Sequence, residues 1–323
     1  MLQAGKHINL LKSFSSFLVS TVAHRPVISG MSPAISIELT NYCNLKCPEC
    51  PSGAGTMNRA RGFMDQALFR KIISEIKPYL YNANLYFQGE PMMHPAFFDF
   101  LRSAEGISST VSTNGHFLSP ENCQKLAESH LRKLIISLDG LDQLTYSTYR
   151  KNGNLEKVMQ GITGVSAAVR KASSKMRLEV QILVSKYNED QITDIKKFVI
   201  SAGARPVLKS MQIYGGSGYS GWLPSDDRFR RYHLKNGSYQ LRSSFPRRCA
   251  RIWFNPVITW DGRVIPCCFD KDADYVMGNL NEQSFRQVWH GEKFRDFRMK
   301  ILSGREKIPI CRNCTSGLQG VKT

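Results

Sequence analysis

Cys43, Cys47 and Cys50 stand in the run Cys43-Asn44-Leu45-Lys46-Cys47-Pro48-Glu49-Cys50, close enough in sequence to point three sulfurs into one small volume. Cys249, Cys267, Cys268, Cys311 and Cys314 gather in the last quarter of the chain, and Cys123 stands alone. Nine cysteines in 323 residues are too sparse for a disulfide scaffold. In a reducing compartment, clustered thiolates of this kind bind metal. Three thiols leave one iron of a four-iron cube without a protein ligand, open to a substrate or cosubstrate. A closed four-thiol set stores or passes electrons instead. Zinc is the alternative at either place. Cys123, in a predicted helix, reads as a small packed residue.

The elements that must hold these thiols alternate short apolar runs with longer helical patterns, the mark of βα units on a parallel sheet. Strands are predicted at Ile35 to Leu39, Asn84 to Phe87, Ser109 to Ser112, Lys133 to Leu138, Leu178 to Val184 and Pro206 to Gln212. Helices are predicted around Asp65 to Pro78, Pro95 to Ala104, Pro120 to Ser129, Leu155 to Lys171 and Asp190 to Ala202. Six such units suit a partial (βα)6 TIM-like barrel, whose chemistry sits at the C-terminal ends of the strands. The three-thiol loop follows the first strand directly.

CxxxCxxC in that position resembles the radical S-adenosylmethionine (SAM) superfamily, and three more segments match its pattern in order. Gln88-Gly89-Glu90-Pro91 resembles the segment whose backbone receives the methionyl amino group. Ser112-Thr113-Asn114-Gly115 and Ser137-Leu138-Asp139-Gly140 resemble positions lining the methionyl and ribose parts of the site. Singly, each run also reads as a turn or a helix cap. The resemblance implies a 4Fe–4S cluster on Cys43, Cys47 and Cys50 and a SAM site at Gln88, Gly89, Glu90, Ser112, Thr113, Asn114, Ser137 and Asp139. It also implies reductive cleavage of SAM to a 5′-deoxyadenosyl radical that takes a hydrogen from substrate. Glu49 departs from the pattern, since an aromatic residue usually precedes the third cysteine and packs on adenine.

In the tail, Trp260 to Cys268 reads as a hairpin with an Asp-Gly turn leading into a ligand. With Cys249, Cys311 and Cys314 it resembles the SPASM/twitch extension of the same superfamily. Five tail cysteines match the one-cluster twitch form, which implies one auxiliary 4Fe–4S cluster on Cys249, Cys267, Cys311 and Cys314. Cys267 is preferred over Cys268 by that resemblance alone. The implied organisation is an N-terminal extension over 1–31, a radical SAM core over 32–215, a basic linker over 216–248 and a cluster domain over 249–323. Glycines at 215, 216, 218 and 221 mark the junction.

No run of eighteen apolar residues exists, so a membrane-spanning helix is not expected. Ile8, Leu11, Phe14, Leu18 and Val22 recur at helical spacing beside Lys6 and Lys12. Packing of that stripe on the core is the expectation; a secretory signal or an amphipathic surface segment, with peripheral membrane contact, is the alternative. The net charge of +18 predicts attraction to something anionic, and Arg228, Arg230, Arg231, Lys235, Arg242, Arg247, Arg248 and Arg251 concentrate it. That stretch reads equally as solvated surface or docking patch.

A closed cluster beside a radical generator favours net oxidation. The leading expectation is a cytoplasmic radical SAM oxidoreductase that dehydrogenates a small polyol, sugar or lipid-linked alcohol, reduced by an acidic flavodoxin or ferredoxin. Lys209, ending the sixth strand, is the candidate base. A peptide maturase is the second reading, although only about thirty residues precede Ile35 and the usual peptide-binding extension is not expected. RNA modification, a nucleic-acid reading motivated by charge, and a non-catalytic metal-binding interaction protein complete the set.

Overall fold

A computed structural model describes residues 2–214, 219–242 and 245–314. The glycines at 215, 216 and 218 fall outside the described residues. In chain order the elements run α1 (Leu2–Ala23), β1 (Ala34–Ile37), α2 (Pro51–Ala54), α3 (Gln66–Ile76), β2 (Asn82–Asn84), α4 (Phe97–Ser103), β3 (Ser108–Thr113), α5 (Pro120–Glu128) and β4 (Leu131–Ser137). They continue with α6 (Gln143–Tyr149), α7 (Leu155–Lys171), β5 (Arg177–Val184), α8 (Ile192–Ser201), β6 (Arg205–Ser210), α9 (Tyr219–Trp222), β7 (Tyr232–Lys235) and β8 (Ser238–Leu241). The tail adds α10 (Arg251–Phe254), β9 (Val257–Ile258), β10 (Arg263–Ile265), β11 (Gly278–Asn279), α11 (Phe285–His290) and α12 (Glu292–Gly304). The α/β class and the order of six strands agree with the sequence reading, with boundaries shifted by a few residues.

The described residues form two compact units, one of residues 2–42, 57–109 and 245–314, the other of residues 43–56, 110–214 and 219–242. In the first, the strand order is β11-β10-β9-β1-β2. β1 pairs in parallel with β2, with Ser36 opposite Asn84, and with β9, with Ile37 opposite Ile258. β9 and β10 form the anticipated antiparallel hairpin, Val264 facing Ile258, and Gly262 turns it at φ 86°. β2 stops at Asn84, short of the expected Phe87, because Phe87 leaves the strand. Its ring takes the Arg59 guanidinium at 5.7 Å and the Lys271 ammonium at 4.9 Å. α3 begins where Asp65 accepts from the Ala67 and Leu68 amides, and buries Leu68, Phe69, Ile72, Ile73 and Ile76.

α1 turns the expected packing inside out. Ile8, Leu11, Phe14, Leu18 and Val22 face solvent, and the buried side carries Asn9, Ser13, Ser16 and Ser20. The chain over 27–31 runs beside the helix with its peptide groups unpaired by any sheet, and those side chains satisfy them. Asn9 exchanges hydrogen bonds with the Met31 amide (2.8 Å) and carbonyl (3.0 Å), Ser13 donates to the Met31 carbonyl at 2.7 Å, and Ser20 accepts from Val27 at 2.8 Å. Phe17 supplies apolar contact, edge-on to Trp253 at 5.6 Å. No helix among the described residues is long and apolar enough to cross a membrane.

In the second unit β4, β5 and β6 pair in parallel, Lys133 opposite Arg177 and Leu183 opposite Lys209. β5 buries alternate residues, Leu178, Val180, Ile182 and Val184. α7 starts at Asn154, whose side chain accepts from the Lys157 amide, and buries Leu155, Val158, Ile162 and Val165. α6 between β4 and α7 has no counterpart in the sequence reading. Residues 226–242 are more self-satisfied than a docking patch. Arg228 pairs with Asp226, Arg230 and Arg242 pair with Asp227, and Arg231 is buried. β7 and β8 close there around Asn236-Gly237, both at positive φ, a turn suited to a hairpin.

Candidate radical SAM and iron–sulfur sites

None of the nine cysteines is in a disulfide. In the second unit, Cys43, Cys47 and Cys50 lie in the loop before α2, with Cys47 buried and the others half-buried. Hydrogen-bond donors converge on their sulfurs. The Leu45 amide approaches Cys43 Sγ at 3.5 Å and Asn114 Nδ2 does so at 3.8 Å, while Arg150 Nη1 approaches Cys47 Sγ at 3.9 Å. Burial pushes the Cys47 thiol up, and the Arg150 charge opposes it. Donors aimed at sulfur stabilise thiolate, the form a metal binds. Among the described residues no three His, Cys, Asp or Glu side chains close round a single ion. The donor chemistry of three thiols ringed by N–H groups and one guanidinium fits an iron–sulfur cluster with one open iron.

Asp139 and Asn114, both expected site residues, are brought to this loop. Arg150 Nε donates to Asp139 Oδ2 at 2.6 Å, and the Leu183 amide donates to Asp139 Oδ1 at 2.7 Å. Burial pulls the Arg150 pKa down, but Asp139 and Cys47 outweigh it and Arg150 stays charged. Asn114 also gives Nδ2 to Asn44 Oδ1 at 2.7 Å. His116 holds the other end of that amide. The Asn154 amide donates to His116 Nε2 at 2.8 Å, which leaves the Nδ1 proton for Asn114 Oδ1 at 3.0 Å. Burial first, then the Lys157 and Arg150 charges, lowers the His116 pKa and keeps it neutral, with the Asn114 carbonyl as the opposing contact. Arg150, Asn44 and His116 were not singled out from sequence. Arg150 closes the helix after the Asp139-Gly140 run, and that position was its one available signal. Glu49 accepts from the Tyr214 amide at 2.8 Å, so it anchors the chain after β6 to the thiol loop. Lys209 is half-buried on β6, and Ser112 and Ser137 are half-buried on β3 and β4.

In the first unit, Gln88, Gly89 and Glu90 form a tight turn. Gly89 has φ 71°, and a Cβ there would lie 2.5 Å from the Tyr42 carbonyl oxygen. The Glu90 amide donates to that carbonyl at 2.8 Å, and the Glu90 side chain accepts from the Met92 amide at 3.1 Å. Gln88 Oε1 is buried without a hydrogen-bond partner. An orphaned acceptor beside a glycine-only backbone fits a segment shaped for a polar ligand.

The five tail thiols gather in the same unit. Arg251 Nη1 lies 3.5 Å from Cys268 Sγ, and Cys268, then Cys314, Cys267 and Cys249, raise the Arg251 pKa against the effect of its burial. Burial first, then Cys268, Cys249 and Cys314, pushes the Cys267 thiol up. Cys311 is pushed up to about 12, by burial first and then by Cys314 and Cys249, with Arg305 opposing. Cys249, Cys267, Cys311 and Cys314 are buried; Cys268 is half-buried. Four buried thiols with two guanidiniums to offset their charge fit a closed iron–sulfur cluster.

Comparison with known proteins identifies the domains in which these thiols stand. The Radical SAM superfamily model matches residues 37–199, and the iron-sulfur cluster-binding SPASM domain matches residues 249–315. The chain is 26% identical over 319 residues to the tungsten-containing aldehyde ferredoxin oxidoreductase cofactor-modifying protein of Pyrococcus furiosus, covering 86% of each. It is 24% identical over 289 residues to the S-adenosyl-L-methionine-dependent 2-deoxy-scyllo-inosamine dehydrogenase of Niallia circulans, covering 87% of this chain and 92% of that one. Among solved structures, BtrN in complex with AdoMet and 2-DOIA superposes with a TM-score of 0.57 at 20% identity, covering 92% of this chain and 97% of that one, a likeness of fold. The first match spans half of the chain: the protein belongs to the Radical SAM superfamily, as an enzyme that binds SAM and a 4Fe–4S cluster and carries a C-terminal SPASM iron–sulfur domain.

Proposed function

We propose that this enzyme oxidises an alcohol carbon of a small polyol, sugar or lipid-linked alcohol. The observation that carries the reading is the second thiol set. Cys249, Cys267, Cys311 and Cys314 are all buried and together would leave no ligand position open on a cluster, which suits an electron acceptor. The similarity to the Niallia circulans dehydrogenase over 92% of its length supports the same class.

Cys43, Cys47 and Cys50 would hold the SAM-binding cluster, and Cys249, Cys267, Cys311 and Cys314 the auxiliary one. When bound, these groups supply a hydrogen-abstracting radical and a one-electron acceptor. The chain's own residues orient and protect. The Leu45 amide, Asn114 and Arg150 fix the loop sulfurs. Gly89 and Glu90 present backbone, Gln88 offers its free acceptor, and Ser112, Thr113, Ser137 and Asp139 complete the SAM set. Lys209 on β6 would take the alcohol proton. Arginines 228, 230 and 242 are engaged with Asp226 and Asp227, which weighs against a leader-peptide or RNA dock in that stretch.

An acidic flavodoxin or ferredoxin suits the net charge of +18 as reductant. Clustered thiols outside any disulfide suit the cytoplasm, and we add peripheral membrane contact through α1. The test is an anaerobic assay of the reduced enzyme with SAM and a panel of polyols, sugars and lipid-linked alcohols, some carbon-deuterated. A product two hydrogens lighter, with deuterium moved into 5′-deoxyadenosine, is expected. Deuterium transfer with products that retain all other hydrogens would overturn the oxidation.

A further inference from the structure

The apolar residues on the outer face of α1 need an occupant. Ile8, Leu11, Phe14, Leu18, Val19 and Val22 are exposed, Leu11 at 66% and Val22 at 82%. At 100° per residue Leu11, Leu18 and Val22 fall within about 40° of one another, flanked by Phe14 on one side and Ile8 and Val19 on the other. The face runs from Ile8 to Val22, about 21 Å at 1.5 Å per residue. Monomeric surfaces seldom leave such a stripe in water.

The charge around the stripe is one-sided. No acidic residue occurs before Glu38, whereas Lys6, His7, Lys12, His24 and Arg25 belong to α1 or follow it directly. At the start of the helix, Lys6, His7, Lys77 and Tyr81 line a cavity of about 460 Å³. Tyr81 Oη and His7 Nδ1 are 2.6 Å apart, and Lys6 donates to the Gly106 carbonyl at 3.4 Å. Burial and the neighbouring Lys77 charge lower the Lys6 pKa. Among the described residues no acidic side chain lies within ion-pair distance of either lysine. Two ammonium groups crowded on one cavity are relieved by an anion.

We propose that α1 lies in the interface of an anionic phospholipid bilayer, its apolar face among the acyl chains and a headgroup phosphate between Lys6 and Lys77. This rests on the peripheral-membrane reading above and names its surface and lipid. The inverted packing of α1 is the reason it can do so. Its polar side is already spent on the backbone at 27–31, so the apolar side is the one left to meet a partner. A partner with an apolar interior and a negative surface matches both features at once.

The experiment is co-sedimentation of the cluster-loaded full-length enzyme with vesicles of phosphatidylcholine alone, or of phosphatidylcholine with phosphatidylglycerol. The apolar triple variant Leu11→Ser/Phe14→Ser/Leu18→Ser and Lys77→Gln are run beside it. All four positions face solvent or the cavity, and iron content and circular dichroism check that the variants fold. Phosphatidylglycerol vesicles should bind the enzyme, with binding weakened roughly tenfold or more by the triple variant and about fivefold by Lys77→Gln. Equal binding to both vesicle types would keep peripheral contact and overturn the anionic headgroup. Binding that the triple variant retains would overturn the docking face. So would no binding at all, together with a dimer in light scattering that the triple variant dissociates, since the face would then belong to a second copy.

Discussion

Arg150 donates from Nε to Asp139 Oδ2 at 2.6 Å, joining the C-terminal end of α6 to the loop that follows β4. The same guanidinium reaches Cys47 Sγ with Nη1. A fixed fork can serve both partners, and a lysine ammonium cannot. Arg150→Lys should therefore fold and retain iron but form 5′-deoxyadenosine at least about tenfold more slowly, a loss of roughly 1.4 kcal/mol in the barrier. The check is dithionite-driven SAM cleavage normalised to iron. Wild-type rates in this variant would remove Arg150 from the site.

Cys267 and Cys268 are separated by burial. Cys267→Ala should lose the auxiliary cluster, taking iron from about eight per chain to about four, while Cys268→Ala keeps it. Iron and sulfide analysis with electron paramagnetic resonance decides this. The Cys43→Ala/Cys47→Ala/Cys50→Ala variant should lose the other four irons and all SAM cleavage.

Gly89→Ala places a methyl against the Tyr42 carbonyl in a left-handed backbone. The conformational cost alone is about 1 kcal/mol and the clash adds to it. SAM affinity, read by equilibrium dialysis, should fall by more than tenfold, with a lower melting temperature. Unaltered affinity would show that this turn does not bear on SAM.

Glu38 is fully buried and pairs bidentately with Arg59, and it also accepts from the Trp260 amide at 3.2 Å. Burial raises the Glu38 pKa, and Arg59 opposes it. Arg59→Met leaves a buried carboxylate without its cation and should cost about 3–5 kcal/mol in urea unfolding. Glu38→Gln/Arg59→Met should recover part of that; full additivity would mean that the pair is not coupled.

His116 supplies a pH signature. Its folded pKa lies below the ordinary histidine value, so the unfolded chain takes the proton first as pH falls. The stability it contributes is complete above the unfolded pKa near 6.5 and is lost as pH drops toward the folded value. Melts between pH 7.5 and pH 5.5 should show a steeper decline in wild type than in His116→Gln. Parallel declines would assign the acid sensitivity elsewhere.

Much of the fold was legible because its signals are local. The Leu155–Lys171 helix, the β5 alternation and the Asp261-Gly262 hairpin each show within a window of a few turns. The Asn236-Gly237 hairpin carried an equally local signal, obscured by its arginines. For α1 the local pattern is not enough, for a physical reason. A helical period marks two faces without saying which turns inward, and serines can bury when a neighbouring backbone needs their hydroxyls.

The sequence by itself determined the cysteine spacing, the order of the SAM-binding runs and the strand after which the thiol loop falls, all of which are fixed by residues close along the chain. Only the tertiary structure decided what surrounds the thiols. Arg150 meets Cys47 across 103 residues, and Asn114 meets Cys43 across 71. Such meetings depend on how strands pair and helices pack, where burial and charge are summed over distant segments and no local pattern reports the total.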